Sequence, residues 1–339
     1  MKYLITGAAG FIGSNLVHLL KKNYPDAQVL VVDKLGIGSD IKNIENRYNG
    51  TVDLSIADIT DYELIRSIVG EFEPDYLVHA AAESHVDRSI EQPHSFVETN
   101  IIGTLNVLEA VRSNDNLIHR TKITFISTDE VYGQLGLEDD PFVEGLKHKP
   151  SSVYSASKSA GEALVHAYIK TYGMDISITN CSNNFGPRQH EEKFIPKTIK
   201  NILNGVPVVV YGDGSNIRDW IYVDDHNEAL LKIIHGGLVG KNYNIGGGNE
   251  RTNLQVVEDI REIIFSHPYI EYIKEYFNRD LNSFAIEYVT DRKGHDTRYA
   301  VDHTVITEEF GWKPNTSKYK EKLQDTVKWY VDKFLKEGK

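Results

Sequence analysis

Residues 2–6, Lys2-Tyr3-Leu4-Ile5-Thr6, read as an apolar strand that ends on Gly7. The glycine turn Gly7-Ala8-Ala9-Gly10-Phe11-Ile12-Gly13 follows, then a helical pattern over 11–22. A strand, a tight turn and a helix in that order commit the chain to a crossover, because the helix must carry it to a strand parallel to the first. The unit then repeats. Residues 28–33, 52–57, 76–82 and 122–127 read as further strands. Between the last two, Phe96, Val97, Ile101, Leu105, Leu108 and Val111 recur at helical spacing over 95–112. Near-continuous apolar strands alternating with helices predict an α/β fold, a doubly wound parallel (Rossmann-type) sheet covered on both faces.

Residues 176–180 and 243–246 read as later strands of the same sheet. From Pro187 the alternation fades, and 189–220 and 252–312 carry more Pro, Tyr and charge. The expected division is a dinucleotide-binding domain over 1–186, to which 221–250 return. A smaller C-terminal substrate-binding domain would be built from 187–220 and 251–339. A final helix near 319–336 is expected to pack on the surface.

The formal net charge of -12 over 339 residues argues against nucleic acid or a membrane surface as the main partner. An anionic ligand must therefore meet a local basic cluster. The single cysteine, Cys181, leaves no intramolecular disulfide and no Cys-based metal site, and a buried thiol is expected in its apolar strand. No metal is expected. No apolar run approaches the roughly 20 residues of a membrane-spanning helix, and nothing near Met1 reads as a secretory leader, so the cytoplasm is the expected compartment.

The glycine turn has the spacing G-x-x-G-x-x-G. Gly7, Gly10 and Gly13, with Phe11 and Ile12, would let the backbone approach a pyrophosphate at a helix N-terminus. Asp33 ends the second strand, where a carboxylate can bond the adenosine ribose and repel a 2′-phosphate; NAD is expected rather than NADP, with Lys34 beside it softening the preference. Asp58 and Ile59, after the third strand, could reach the adenine, or Asp58 could cap a turn. Ala80-Ala81-Ala82 leaves room for a cofactor, or serves helix–sheet packing.

Tyr154 and Lys158 stand four apart and share a helix face. With 19 tyrosines in the chain such a pair is common by chance, but here it follows a glycine fingerprint and Ser127-Thr128. To act as a base near neutrality the phenol must fall about 3 units from about 10. A lysine one turn away and an oxidised nicotinamide are suitable sources. Asp129 and Glu130 add two carboxyls, which can supply one acid and one base if their environments differ. A strand would point them to opposite faces, so the chain must turn after Thr128.

Taken together, these residues resemble the extended short-chain dehydrogenase/reductase family over nearly the whole chain. Ser127-Thr128-Asp129-Glu130-Val131-Tyr132-Gly133 is similar to its nucleotide-sugar 4,6-dehydratases. Further matches are Ala81-Ala82-Glu83-Ser84-His85-Val86-Asp87, Asn183-Asn184-Phe185-Gly186-Pro187, Lys193-Phe194-Ile195-Pro196, Arg218-Asp219-Trp220 and Arg292-Lys293-Gly294-His295-Asp296. The resemblance implies a nucleotide-sugar substrate, dTDP-glucose before UDP-glucose, and bound NAD that ends each turnover as it began. It implies that Tyr154 takes the 4-hydroxyl proton as hydride leaves C4, that Thr128 bonds the 4-oxygen, that Glu130 takes the C5 proton and that Asp129 protonates the departing 6-hydroxyl. Thr99 and Asn184 join the implied cofactor set. Ser84, His85, Asn183, Lys193 and Tyr211 join the substrate set, as do Arg218, Asn253, Arg292 and His295. The family also implies a homodimer through the helices near 95–112 and 153–171. Lys293 replaces the family's usual proline, Phe185 its usual tyrosine, and 266–283 is longer than expected. These departures lie on the base-recognition side. A 4-epimerase of the same fold is the nearest alternative, although it needs no elimination acid and base; a non-catalytic NAD-binding sensor is another.

Overall fold

The computed structural model describes residues 1–44, 50–266, 270–271, 274–275 and 285–337. Seven strands form the central sheet: β1 (Lys2–Thr6), β2 (Gln28–Asp33), β3 (Val52–Ile56), β4 (Tyr76–His79), β5 (Lys122–Thr128), β6 (Ile176–Cys181) and β10 (Asn242–Ile245). Their order is β10-β6-β5-β4-β1-β2-β3, every neighbouring pair parallel. The order reverses between β1 and β4, and an open parallel sheet takes its ligands at the carboxyl ends of the strands beside such a reversal.

Helices α1 (Phe11–Asn23), α2 (Tyr62–Phe72), α3 (Val86–Glu91), α4 (Pro93–Val97), α5 (Thr104–Arg112) and α6 (Val153–Tyr172) carry the crossovers. The helix expected over 95–112 is instead α4 and α5 joined by a π-helical stretch, Glu98–Gly103. The wider turn leaves Thr99 and Asn100 buried and Val97 and Ile102, five apart, exposed. The sheet is held by two apolar layers. One gathers Leu4, Leu77, Val107, Phe125, Val165 and Ile178, and the other Tyr3, Ile5, Leu16, Val31, Val78 and Leu230.

The remaining elements leave the sheet. Strand β7 (Asn183–Phe185) pairs with β9 (Ile217–Tyr222), which also takes β11 (Glu250–Thr252) and β13 (Arg298–Tyr299). Strand β8 (Val208–Tyr211) pairs with β12 (Ile286–Val289). Departure from the central sheet thus begins at Asn183, a few residues before the expected boundary. Helix α8 (Val223–Gly236) and β10 rejoin it. The helix Thr304–Phe310 also packs on β10, so the expected smaller part over 251–339 includes one element that sits on the central sheet. A separate core lies between α7 (Phe194–Asn204), α9 (Asn253–Phe265) and the C-terminal helix Tyr319–Glu337. That last helix is a wall of the core rather than a surface attachment, since Leu323, Val327 and Tyr330 are fully buried. Of the long 266–283 stretch, residues 267–269, 272–273 and 276–283 lie outside the described residues. Among the described residues no helix is long and apolar enough to cross a membrane.

Candidate active site

A cleft of about 320 Å³ runs along the carboxyl ends of the central strands, a size suited to a small ligand or cofactor. Gly7, Gly10, Phe11, Ile12 and Gly13 line one end. Gly7 has φ +71, and a Cβ there would stand 2.6 Å from the Ala81 Cα, so only glycine fits between the first turn and the end of β4. Gly10 caps α1 with no side-chain acceptor, which leaves the first-turn N–H groups to a ligand.

Asp33 lines the cleft but is buried, and the chain uses much of its acceptor capacity: Ala9 N at 3.0 Å, Leu35 N at 2.8 Å and Ser39 Oγ at 3.1 Å. The carboxylate therefore braces the glycine turn and has about one of its four acceptor positions left. Lys34 is held 3.0 Å from Glu83 and 3.7 Å from Asp58, which ties three strand ends together across the rim. Asp58 accepts from Thr60 N at 3.0 Å, so it shapes a turn as well as lining the cleft. Ile59, Ala80, Ala81, Ala82 and Thr99 line the same wall.

At the other end β5 stops at Thr128 and the chain turns at once into a 3₁₀ helix, Asp129–Tyr132. The Thr128 hydroxyl caps it, accepting from Glu130 N at 3.3 Å and donating to Asp129 Oδ1 at 3.3 Å. This is the turn that two adjacent carboxyls require in order to share one cleft. Asp129 is 2% exposed and its Oδ2 has no partner. Burial first, then the charges of Glu130 and Asp219, push its carboxyl well above the usual range. Burial also raises Glu130, but Arg218, Arg292 and Lys193 pull it back. The two environments differ in the sense that separates an acid from a base.

Tyr154 and Lys158 sit in the first turns of α6, whose start is fixed by a capping box of Ser152 and Ser155. The expected fall of the phenol is not found: burial and the Glu130 charge raise Tyr154 well above 10, with a Thr128 hydrogen bond pulling the other way. The Lys158 amine donates to the Ile126 carbonyl at 2.7 Å and is lowered by burial to about 8. Cys181 is buried beneath them, its thiol pushed up to about 12.

Ser84, His85, Asn183, Asn184 and Lys193 complete the lining, and the Lys193 amine donates to the Ser84 carbonyl at 2.6 Å. Tyr211, Arg218, Asn253, Arg292 and His295 do not line this cleft. Arg218 is buried over the Tyr299 ring and bonds the carbonyls of Ile217, Asp296 and Thr297. It reaches the carboxyl pair through its field, as Arg292 reaches Glu130. His295 is bound to Asp291 at 2.6 Å. Asn253 opens α9, its backbone N–H donating to the Asn216 carbonyl, and does not line the cleft.

Two contributors escaped the sequence reading. Asn100 donates to the Glu83 carbonyl and to Ser157 Oγ and accepts from Glu83 N, so it joins the rim to α6. Asp219, anchored by Gly247 N and Asn249 N, adds a second negative charge beside Asp129. Asn100 lies in no motif, and the stretch Arg218-Asp219-Trp220 gives no sign of the reach of Asp219 to Asp129. Unpaired buried polar atoms cluster along the floor (Ser127 Oγ, Asp129 Oδ2, Ser182 Oγ, Asn183 Oδ1, Asn184 Oδ1), as a site built for a polar ligand requires.

The model of the family described as GDP-mannose 4,6 dehydratase matches residues 4–326. A dTDP-glucose 4,6-dehydratase of Mycobacterium tuberculosis is 43% identical over 336 residues, 98% of this chain and 94% of that one. The chain superposes on a dTDP-glucose 4,6-dehydratase of Streptomyces venezuelae solved with NAD bound (TM-score 0.85, 36% identity, 98% and 97% coverage). It also superposes on a UDP-glucose 4-epimerase of Thermotoga maritima solved with UDP-glucose (TM-score 0.83, 29% identity, 98% and 100% coverage).

Proposed function

The chain belongs to the GDP-mannose 4,6 dehydratase family, and from that premise we propose that it is an NAD-dependent dTDP-glucose 4,6-dehydratase, forming dTDP-4-keto-6-deoxyglucose and water. The observation that carries the reading is the pair Asp129 and Glu130 on one 3₁₀ turn, with their proton affinities set apart, beside Tyr154 and Lys158. A 4-epimerase needs the second pair and not the first.

NAD, when bound, supplies a hydride acceptor for C4 and the donor for C6. The glycine turn, Asp33 and the Ala80–Ala82 wall would hold it, with Ile59, Thr99 and Asn184. The chain's own residues move the protons. Tyr154 would take the 4-hydroxyl proton only with the positive nicotinamide ring beside it to offset the burial that raises its phenol, and Thr128 bonds the 4-oxygen as it becomes a ketone. The ketone acidifies the C5 proton, which Glu130 removes. Asp129, protonated through burial, gives its proton to the 6-hydroxyl, which leaves as water. Glu130 then returns a proton to C5. Lys193, Arg218 and Arg292 favour the ionised form of Glu130, whereas burial and the charges of Glu130 and Asp219 favour the neutral form of Asp129. The same cations, with Ser84, His85, Asn183, Tyr211 and His295, would receive the nucleotide sugar; Asn253 would act only from the edge of this region.

The test is turnover with dTDP-glucose and UDP-glucose, the product identified by mass and NMR. Faster conversion of dTDP-glucose to the 4-keto-6-deoxy sugar is expected; a product of changed C4 configuration with its 6-hydroxyl intact would overturn the reading. Glu130→Gln should still oxidise the sugar but lose dehydration by about 100-fold or more.

The chain is further proposed to act as a cytoplasmic homodimer. Val97 and Ile102 expose apolar side chains beside α6, whose outer face shows Ala156, Ala163 and Ala167, small enough for close helix packing.

A further inference from the structure

Asp87, in the first turn of α3, has no part in the proton transfers, yet its carboxylate stands where the two bodies of the molecule meet. Oδ1 faces Arg292 Nη1 at 3.4 Å, and Oδ2 accepts the Tyr211 hydroxyl at 3.4 Å. Asp87 follows β4 of the central sheet, whereas Tyr211 ends β8 and Arg292 follows β12. One carboxylate thus gathers two side chains from outside the sheet onto its rim. Tyr211 in turn packs edge-on against the His295 ring at 6.1 Å.

Arg292 is not satisfied by this contact. Its Nε is buried and has no acceptor. An unpaired buried N–H is unfavourable until an acceptor reaches it. The field of the guanidinium also reaches Glu130. A planar fork with one arm held and another unpaired matches a phosphate oxygen better than a neutral acceptor.

We propose that Asp87 is a positioning residue for substrate binding: it orients Arg292 and Tyr211 so that the unpaired face of the guanidinium receives the diphosphate of the nucleotide sugar. The inference rests on the nucleotide-sugar reading above. A free arginine side chain samples many rotamers, and a carboxylate clamp removes part of that freedom before the ligand arrives. The charge of Asp87 itself opposes a phosphate. Its side chain is 37% exposed, however, so water screens that repulsion while the orientation persists.

The experiment is calorimetric titration of the NAD-loaded Asp87→Asn variant with dTDP and, separately, with thymidine. The dissociation constant for dTDP is expected to rise about three- to tenfold and that for thymidine to stay within about twofold. KM for dTDP-glucose should rise by the same factor as the dTDP constant, with kcat changed by less than about twofold. Unchanged or tighter dTDP binding, or an equal loss for both ligands, would overturn the proposal. Should Asp87→Asn fail to fold, Tyr211→Phe removes the other arm of the clamp and must weaken dTDP selectively. If the wild-type protein binds UDP and not dTDP, the substrate reading fails, and the same comparison with UDP and uridine still decides the role of Asp87.

Discussion

Burial sets the proton affinity of Asp129, and the neighbouring charges of Glu130 and Asp219 raise it further; Glu130 answers to three cations that Asp129 largely lacks. The pair titrates as a unit, so the pH profile reports two apparent values of the pair. The sign follows from the roles. Activity rises with pH as Glu130 loses its proton, above the ordinary glutamate value of 4.5, because its pKa is raised. It falls again at higher pH as Asp129, raised more strongly by burial, loses the proton it must donate; Lys158 deprotonates at about 8. Lys193→Met removes a charge that lowers the Glu130 value, so its acid limb should move to higher pH in kcat profiles; an unmoved limb would show that another group controls it. Much of this was legible in the chain because it is local. Thr128 to Glu130, Tyr154 with Lys158 and the glycine turn all have short fixed spacings. Asn100, Asp87 and Asp219 act on partners far away in sequence, where no spacing rule exists, and Asn253, like Tyr211, Arg218, Arg292 and His295, does not line the cleft.

Among the elements, the 3₁₀ turn after β5 decides most. It ends at Gly133, whose φ of +97 and ψ of -150 suit glycine almost alone. A Cβ there would stand 2.5 Å from the Lys149 carbonyl oxygen. Gly133→Ala should therefore destabilise the protein by about 1–3 kcal/mol, read in a denaturant melt, and should reduce dehydration by displacing the turn. An unaffected melt would mean that the turn relaxes freely. The strand positions were readable from apolar runs, because a parallel sheet buried on both faces leaves an unbroken apolar signal. The π-helical stretch was not. Its residues keep the apolar spacing of an ordinary helix, and the extra turn width answers to burial of Thr99 and Asn100.

At the scale of the whole molecule, the alternation of strands and helices made the central sheet readable, whereas the second core joins segments too far apart in sequence to show a period. Strand β7 pairs with β9 across more than thirty residues, and the C-terminal helix closes a core begun near Phe185. The proposed dimer is a property of this scale as well. Light scattering should give twice the 38.4 kDa chain mass, and Ala163→Glu, on the exposed face of α6, should shift the mass toward the monomer. A wild-type monomer at micromolar concentration would remove the dimer from the account. The position of the carboxyl pair has one more consequence. Its spacing is frozen, since both residues ride on a single turn of the central sheet, but Lys193, Arg218 and Arg292 ride on elements outside that sheet. The geometry of the reaction therefore belongs to one body of the protein and the arming of its base to the other. On the proposed roles, a chain whose two bodies drift apart keeps its catalytic outline and loses its readiness, an interlock that would confine proton abstraction to the assembled molecule.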